Sequence, residues 1–251
     1  MEQAAGKRKN PVLAWLREIA VIVAVALLLS FLIKTFLFRA FYIPSTSMEN
    51  TLEVNDRIFV NLLVPQPFSL NRGDVVVFED DLSWLPPAET NDGDGWFQQA
   101  LTFVGLLPDS SQQHLVKRVI GVSGDRVVCC DADGRITVNG YPLNEPYLHP
   151  ESDNARQPFD VVVPEGKIWV MGDNRNHSAD SREHRDEESG GFVDIDAVEG
   201  RAAVIAWPLG RMSVLGSYPE VFDAVPAPDG ANPGQESGSV EETEPAQGAS
   251  R

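Results

Sequence analysis

His114-Leu115-Val116-Lys117-Arg118-Val119-Ile120 is a run of β-branched and apolar residues interrupted by two cations. Its alternation predicts a strand with Leu115, Lys117 and Val119 on one face and Arg118 on the other. Lys117 then turns inward among apolar neighbours, while Arg118 stays solvated. A lysine buried in this way loses the hydration of its charged form, and its pKa falls towards the range in which a neutral amine serves as a base. About seventy residues upstream lies Ser45-Thr46-Ser47-Met48. A serine hydroxyl becomes a nucleophile when a base takes its proton, so Ser47 and Lys117 form a candidate pair. Taken alone, each residue has an ordinary reading: Lys117 as a surface cation with its stem on apolar neighbours, and Ser47 as part of a turn after Ile43-Pro44.

Other short runs read the same way: Arg57 to Val64, Asp74 to Phe78, Leu115 to Val122, Arg126 to Val128, Ile136 to Val138, Val161 to Val163, Lys167 to Met171 and Ala202 to Trp207. Between them stand Asn71-Arg72-Gly73-Asp74, Gly124-Asp125, Asp133-Gly134, Asn139-Gly140 and Pro164-Glu165-Gly166, residues that tolerate the positive φ of tight turns. The expected fold class is mainly β, an antiparallel sheet domain over residues 39–222, behind a single N-terminal helix.

That helix is read from the uncharged run Ile19 to Ile33, extended through Phe38 with Lys34 snorkelling. Residues 19–38 are long enough to cross a bilayer. Lys7, Arg8, Lys9 and Arg17 precede the run, so residues 1–18 are expected on the cytoplasmic side and the domain outside it. A cleavable leader is the competing reading, but bulky residues follow the apolar core where a small-x-small site would be needed. Residues 79–113 form an insertion in which Trp96 to Leu107 is apolar at helical spacing; a membrane-dipping helix and a helix packed on the domain are both open. Residues 223–251 are rich in Pro, Gly, Ser, Ala and Glu and read as a disordered acidic tail.

The formal charge of −17 over 251 residues would repel a phosphate backbone, so nucleic acid is not an expected partner. The two cysteines, Cys129 and Cys130, are adjacent and supply neither a framework nor a metal site. They read as two small, partly buried residues, with a vicinal disulfide as the alternative.

Four blocks taken together sharpen the picture: Ile43-Pro44-Ser45-Thr46-Ser47-Met48, Arg72-Gly73-Asp74-Val75-Val76-Val77-Phe78, Lys117-Arg118-Val119-Ile120-Gly121, and Gly172-Asp173-Asn174-Arg175 with Ser178-Ala179-Asp180-Ser181-Arg182. In type and order they resemble bacterial type I signal peptidases over Phe41 to Pro208. The resemblance implies a membrane-bound Ser/Lys endopeptidase that removes signal peptides from exported preproteins, with Ser47 as nucleophile and Lys117 as general base. It implies no metal or cofactor, a lipid bilayer as partner, and a monomer. Ser45 would assist the oxyanion hole beside the Ser47 N–H. Ser178 would hydrogen-bond Lys117, Asp180 and Arg182 would form a supporting ion pair, and Asp173 and Arg175 would shape the same loop. Phe41, Ile43, Leu52 and Val116 match positions lining shallow pockets for small residues at −1 and −3, giving an Ala-x-Ala preference.

The chain departs from that family at Asn50, where proline is frequent, and over Glu183 to Gly190, which is longer and more charged than usual. Three rivals remain. A Ser-His-Asp hydrolase would use His177 and Asp180, although no Gly-x-Ser-x-Gly surrounds Ser47. Self-cleaving repressors share the Ser/Lys chemistry but lack an anchor. A non-enzymatic anchored β domain acting as an assembly factor would leave the pair inert.

Overall fold

The computed structural model describes residues 11–85 and 114–228. It begins with helix α1 (Pro11–Phe36), whose apolar window Trp15–Ile33 has none of its length buried against the rest of the chain. The helix starts earlier than the charge-free run because proline suits a first turn and the following Val-Leu-Ala-Trp-Leu-Arg-Glu continues a helix readily. It also stops earlier: Phe38 opens strand β1 (Phe38–Tyr42) instead of closing the anchor.

The remaining strands are β2 (Arg57–Asn61), β3 (Val75–Glu79), β4 (His114–Gly121), β5 (Arg126–Cys129), β6 (Ile136–Val138), β7 (Tyr141–Pro142), β8 (Phe159–Val162), β9 (Lys167–Met171), β10 (Val193–Asp194), β11 (Val198–Trp207) and β12 (Ser213–Val214). A short helix, α2 (Pro219–Phe222), follows. Every pairing is antiparallel. One sheet runs β1-β2-β11-β3-β4-β9-β10, with β12 added to β11, and the other runs β7-β6-β5-β8. The fold is therefore the mainly β architecture the alternation predicts.

Turn chemistry sits where the strands require it. Asn139 and Gly140 both have positive φ (51° and 80°) between β6 and β7, as a two-residue hairpin demands. Gly73 has φ +87°, and a Cβ there would lie 1.9 Å from the Ser217 carbonyl oxygen, so only glycine lets the chain pass.

Three apolar clusters fill the interior. One lies under β1, β2, β3 and β11 and includes Ile43, Met48, Leu52, Ile58, Val60 and Ile205. A second packs Val76, Phe78, Trp84, Leu115, Val119 and Val170 together, and a third joins the small sheet to Ile120, Trp169 and Met171. Strand β4 is consequently covered on both faces.

Three expectations change on this account, and the start of the insertion is defined. Arg118 is not solvated: it is fully buried, bonded to Asp173 and stacked on Tyr147, because the third cluster covers that face of β4. Residues 223–228 are not part of a tail, since Val225 is buried in the third cluster and the Pro226 carbonyl accepts from Asn139. Cys129 and Cys130 are joined in a vicinal disulfide. The first part of the insertion is packed, with Asp80 accepting from the Trp84 and Leu85 amides and Trp84 stacked on His184 at 4.3 Å. The apolar stretch Trp96 to Leu107 lies outside the described residues.

Candidate active site

Beyond β1 the chain turns through residues 46–52 without joining a sheet. Met48 and Leu52 plug into the core below and fix that segment, leaving Ser47 nearly buried between them and the end of β9. Lys117 comes from β4, 70 positions along the chain, and its Nζ donates to Ser47 Oγ at 2.8 Å. Ser45 Oγ lies 3.1 Å from Ser47 Oγ and accepts from the Ser47 N–H at 3.3 Å. Two hydroxyls, a backbone N–H and a buried amine thus occupy one small volume.

The surroundings of the amine set its proton affinity. Burial pushes the Lys117 pKa down from 10.5 to about 8; the Asp180 and Asp173 carboxylates oppose the fall and Arg182 adds to it. Neither carboxylate is a hydrogen-bond partner of the amine, because each is taken up by an arginine. Asp180 meets Arg182 through two bonds of 2.8 Å and accepts from the Gly172 N–H at 2.9 Å. Burial alone would raise the Asp180 pKa, yet the bonds and charge of Arg182, with the Gly172 amide, hold it below the usual carboxylate range. Asp173 meets Arg118 in the same bidentate way at 2.8 and 2.6 Å. A lysine beside two neutralised carboxylates keeps a low pKa, whereas one paired directly to either would be locked as an ammonium.

Gly172 permits the close approach of these parts. A Cβ there would lie 2.2 Å from Ser178 Oγ and 2.5 Å from the Ser47 carbonyl oxygen. Ser178 itself is buried behind this glycine, and its Oγ does not make the hydrogen bond to Lys117 that the sequence led us to expect. Arg175 turns away from Lys117 to Glu145, Asn154 and the Gly172 carbonyl. Glu145, Tyr147 and Tyr218, which complete these buried charge networks, were not anticipated; no motif marks them, and only packing brings them in.

Phe41, Ile43, Leu52 and Val116 share the cluster beside Ser47. Phe41 and Val116 are partly exposed, while Ile43 and Leu52 are buried. Asn50 has φ +83°, a conformation closed to proline, and its amide holds the Tyr147 and Leu148 carbonyls. His177 is exposed and bonded to Asn174. No group of three or more His, Cys, Asp or Glu capable of holding a metal occurs among the described residues.

Comparison with known proteins gives concordant matches. The model of the family described as "Signal peptidase, peptidase S26" matches residues 16–207. A signal peptidase I of Mycobacterium tuberculosis (strain ATCC 25618 / H37Rv) is 42% identical over 225 residues, covering 80% of this chain and 76% of that one. A probable signal peptidase I of Mycobacterium leprae (strain TN) is 38% identical, covering 86% and 84%. The signal peptidase I of Bacillus licheniformis is 32% identical, covering 84% and 97%.

Proposed function

Because the chain belongs to the peptidase S26 family of signal peptidases, and is a hydrolase of that kind, we propose that it cleaves signal peptides with Ser47 as nucleophile and Lys117 as general base. The observation that carries the assignment of residues is the buried amine 2.8 Å from Ser47 Oγ, its pKa brought down to about 8.

In the acylation step neutral Lys117 takes the Ser47 Oγ proton as Oγ attacks the scissile carbonyl. The oxyanion that develops is met by the Ser47 N–H and the Ser45 hydroxyl, which turn from each other to the substrate. Protonated Lys117 then delivers its proton to the departing amine, leaving an acyl-enzyme. Water, deprotonated by the same amine, attacks the ester and frees Ser47. The ion pairs at Asp180 and Asp173 hold the surrounding charges fixed while the proton moves.

A preference for Ala-x-Ala fits the apolar, uncharged cluster of Phe41, Val116, Ile43 and Leu52, of which Phe41 and Val116 are partly exposed. Substrates would be preproteins, bound as an extended strand. Two observations support a bilayer as the second partner. Helix α1 is apolar and uncovered, and it passes into β1 within two residues. The outward face of the adjoining sheet is apolar as well: Phe38, Tyr42, Phe59 and Val214 are exposed, with Trp207, Leu209 and Met212 at its end. The row Ala40, Phe59, Val204, Val214 crosses four strands in register. An exposed patch of this kind, continuous with a spanning helix, suits an interfacial position. The basic residues before α1 favour a cytoplasmic N-terminus and an extracytoplasmic domain.

The test is cleavage of an Ala-x-Ala preprotein by the purified full chain in detergent, beside folded Ser47→Ala and Lys117→Ala variants. Cleavage by the wild type alone is expected. Activity retained in Lys117→Ala would remove the lysine from the mechanism, and an inert wild type would favour the assembly-factor reading.

A further inference from the structure

We propose that the dipeptide Asp173-Asn174 is a positioning bracket that sets the separation of Ser47 Oγ and Lys117 Nζ, gripping the nucleophile segment through Thr51 and Glu49. The inference rests on the Ser47/Lys117 assignment above. Residues 46–52 have no strand partners to fix them. Instead, three alternate residues of the segment reach the same dipeptide. The Ser47 carbonyl accepts from the Asn174 N–H at 3.0 Å. Glu49 Oε2 accepts from Asn174 Nδ2 at 3.1 Å. Thr51 Oγ1 donates to Asp173 Oδ2 at 2.5 Å.

The other side of the bracket holds the base. Asp173 binds Arg118, the residue after Lys117, through Nε and Nη2 at 2.8 and 2.6 Å. Arg118 Nη2 also donates to Thr51 Oγ1 at 3.3 Å, which closes a ring of Thr51, Asp173 and Arg118. The guanidinium is pinned further by the Gly73 carbonyl at 2.8 Å and by the Tyr147 ring, whose centroid is 4.0 Å away. Arg118, Asp173 and Asn174 are all buried, so the Arg118–Asp173 bonds are made without competing water, while Thr51 and Glu49 reach the dipeptide from half-buried positions. None of the bracket side chains touches Ser47 Oγ or Lys117 Nζ. Their action is on position: a nucleophile from a turn and a base from a strand are each tied to one rigid pair of neighbouring residues.

Thr51→Val keeps the shape and removes the hydroxyl, while Thr51→Ser keeps the hydroxyl. Turnover of an Ala-x-Ala preprotein by the full chain is measured across pH, with thermal unfolding as a control on folding. Thr51→Val is expected to lose about 100-fold in kcat with KM unchanged, the cost of a misplacement near 1 Å. The hydroxyl also neutralises part of the Asp173 charge, and Asp173 faces Lys117 together with Asp180 and Arg182. Its removal therefore moves the rising limb of the pH profile to higher pH. Thr51→Ser should restore both kcat and the limb. Glu49→Ala, at a half-exposed site, tests the second contact and should lower kcat without moving the limb. Wild-type kcat and limb in Thr51→Val, with Ser47→Ala inactive, would overturn the bracket and leave the peptidase reading intact. The same displacement can be read without catalysis from an NMR titration of 15N-labelled Lys117. An inactive wild type whose Lys117 titration still moves in Thr51→Val would sink the peptidase reading and leave the bracket standing.

Discussion

Replacing Lys117 by methionine should abolish cleavage and, at pH 7, make the protein more stable. The amine titrates at about 8 in the folded chain instead of its ordinary 10.5. At about 1.4 kcal/mol for each tenfold change, folding with this lysine costs about 3 kcal/mol at neutral pH. The sign follows from linkage. The folded pKa is the lower one, so between pH 8 and 10.5 the unfolded chain binds more protons, and stability rises with pH across that window. Below pH 8 the cost is felt in full; above 10.5 it is gone. Methionine fills nearly the same space without a charge, but it forfeits the bond to Ser47 Oγ, worth about 1 kcal/mol. Lys117→Met should therefore gain about 2 kcal/mol at pH 7 and lose about 1 kcal/mol above pH 10.5. Thermal unfolding of the detergent-solubilised chain, wild type against variant at the two pH values, reads the difference. A variant less stable than wild type at pH 7, or a difference that does not change with pH, would refute the claim that burial of this amine sets its pKa. The wild-type rate should carry the same signature. With a midpoint near 8, about one tenth of the amine is neutral at pH 7, so kcat/KM should rise about tenfold per pH unit below the midpoint.

Asp180→Asn should destabilise the domain by about 3 kcal/mol, because Arg182 would remain buried with its charge uncompensated; denaturant titration measures it, and a loss under about 1 kcal/mol would show the pair to be incidental. Gly172→Ala should impair turnover as well as folding, since its Cβ would meet both Ser178 and the Ser47 carbonyl; wild-type kcat in this variant would contradict the geometry. His177→Ala should retain most activity, and near-complete loss would return the histidine-based rival. In proteoliposomes, lipids brominated near the headgroups should quench Trp207, so Trp207→Phe should lower total quenching; equal quenching in the two proteins would argue that the apolar sheet face does not meet the bilayer.

Most strands were legible because their alternation is local and glycine or asparagine punctuates it. Ile136–Val138 and Lys167–Met171 appear with the bounds read from sequence. β1 was hidden because Phe38 and its aromatic neighbours continue the apolar character of the helix, and hydropathy does not register a change of period. Strand β11 begins four residues before the run at Ala202, where Val198-Glu199-Gly200-Arg201 lacks clear alternation. Alternation alone implies one covered face for this strand, which places Lys117 inward and Arg118 outward. Tyr147 and Tyr218, far along the chain, cover the other. Ser178 falls in its block in order, yet its Oγ makes no hydrogen bond to Lys117, because sequence order carries no side-chain direction.

By itself the sequence determined what depends on neighbours in the chain: an apolar helix, antiparallel strands, positive-φ turns, and the serine and lysine that match one family in order. Tertiary structure decided what depends on distant parts meeting. It closed 70 residues into a 2.8 Å contact and buried both faces of β4. It also paired each carboxylate near Lys117 with its own arginine. A lysine's pKa is a property of the space around it, and that space is assembled from β3, β4, β9 and the turn after β1 together. Sequence could nominate Lys117 as a base; only the packed fold withholds the water that would keep it charged.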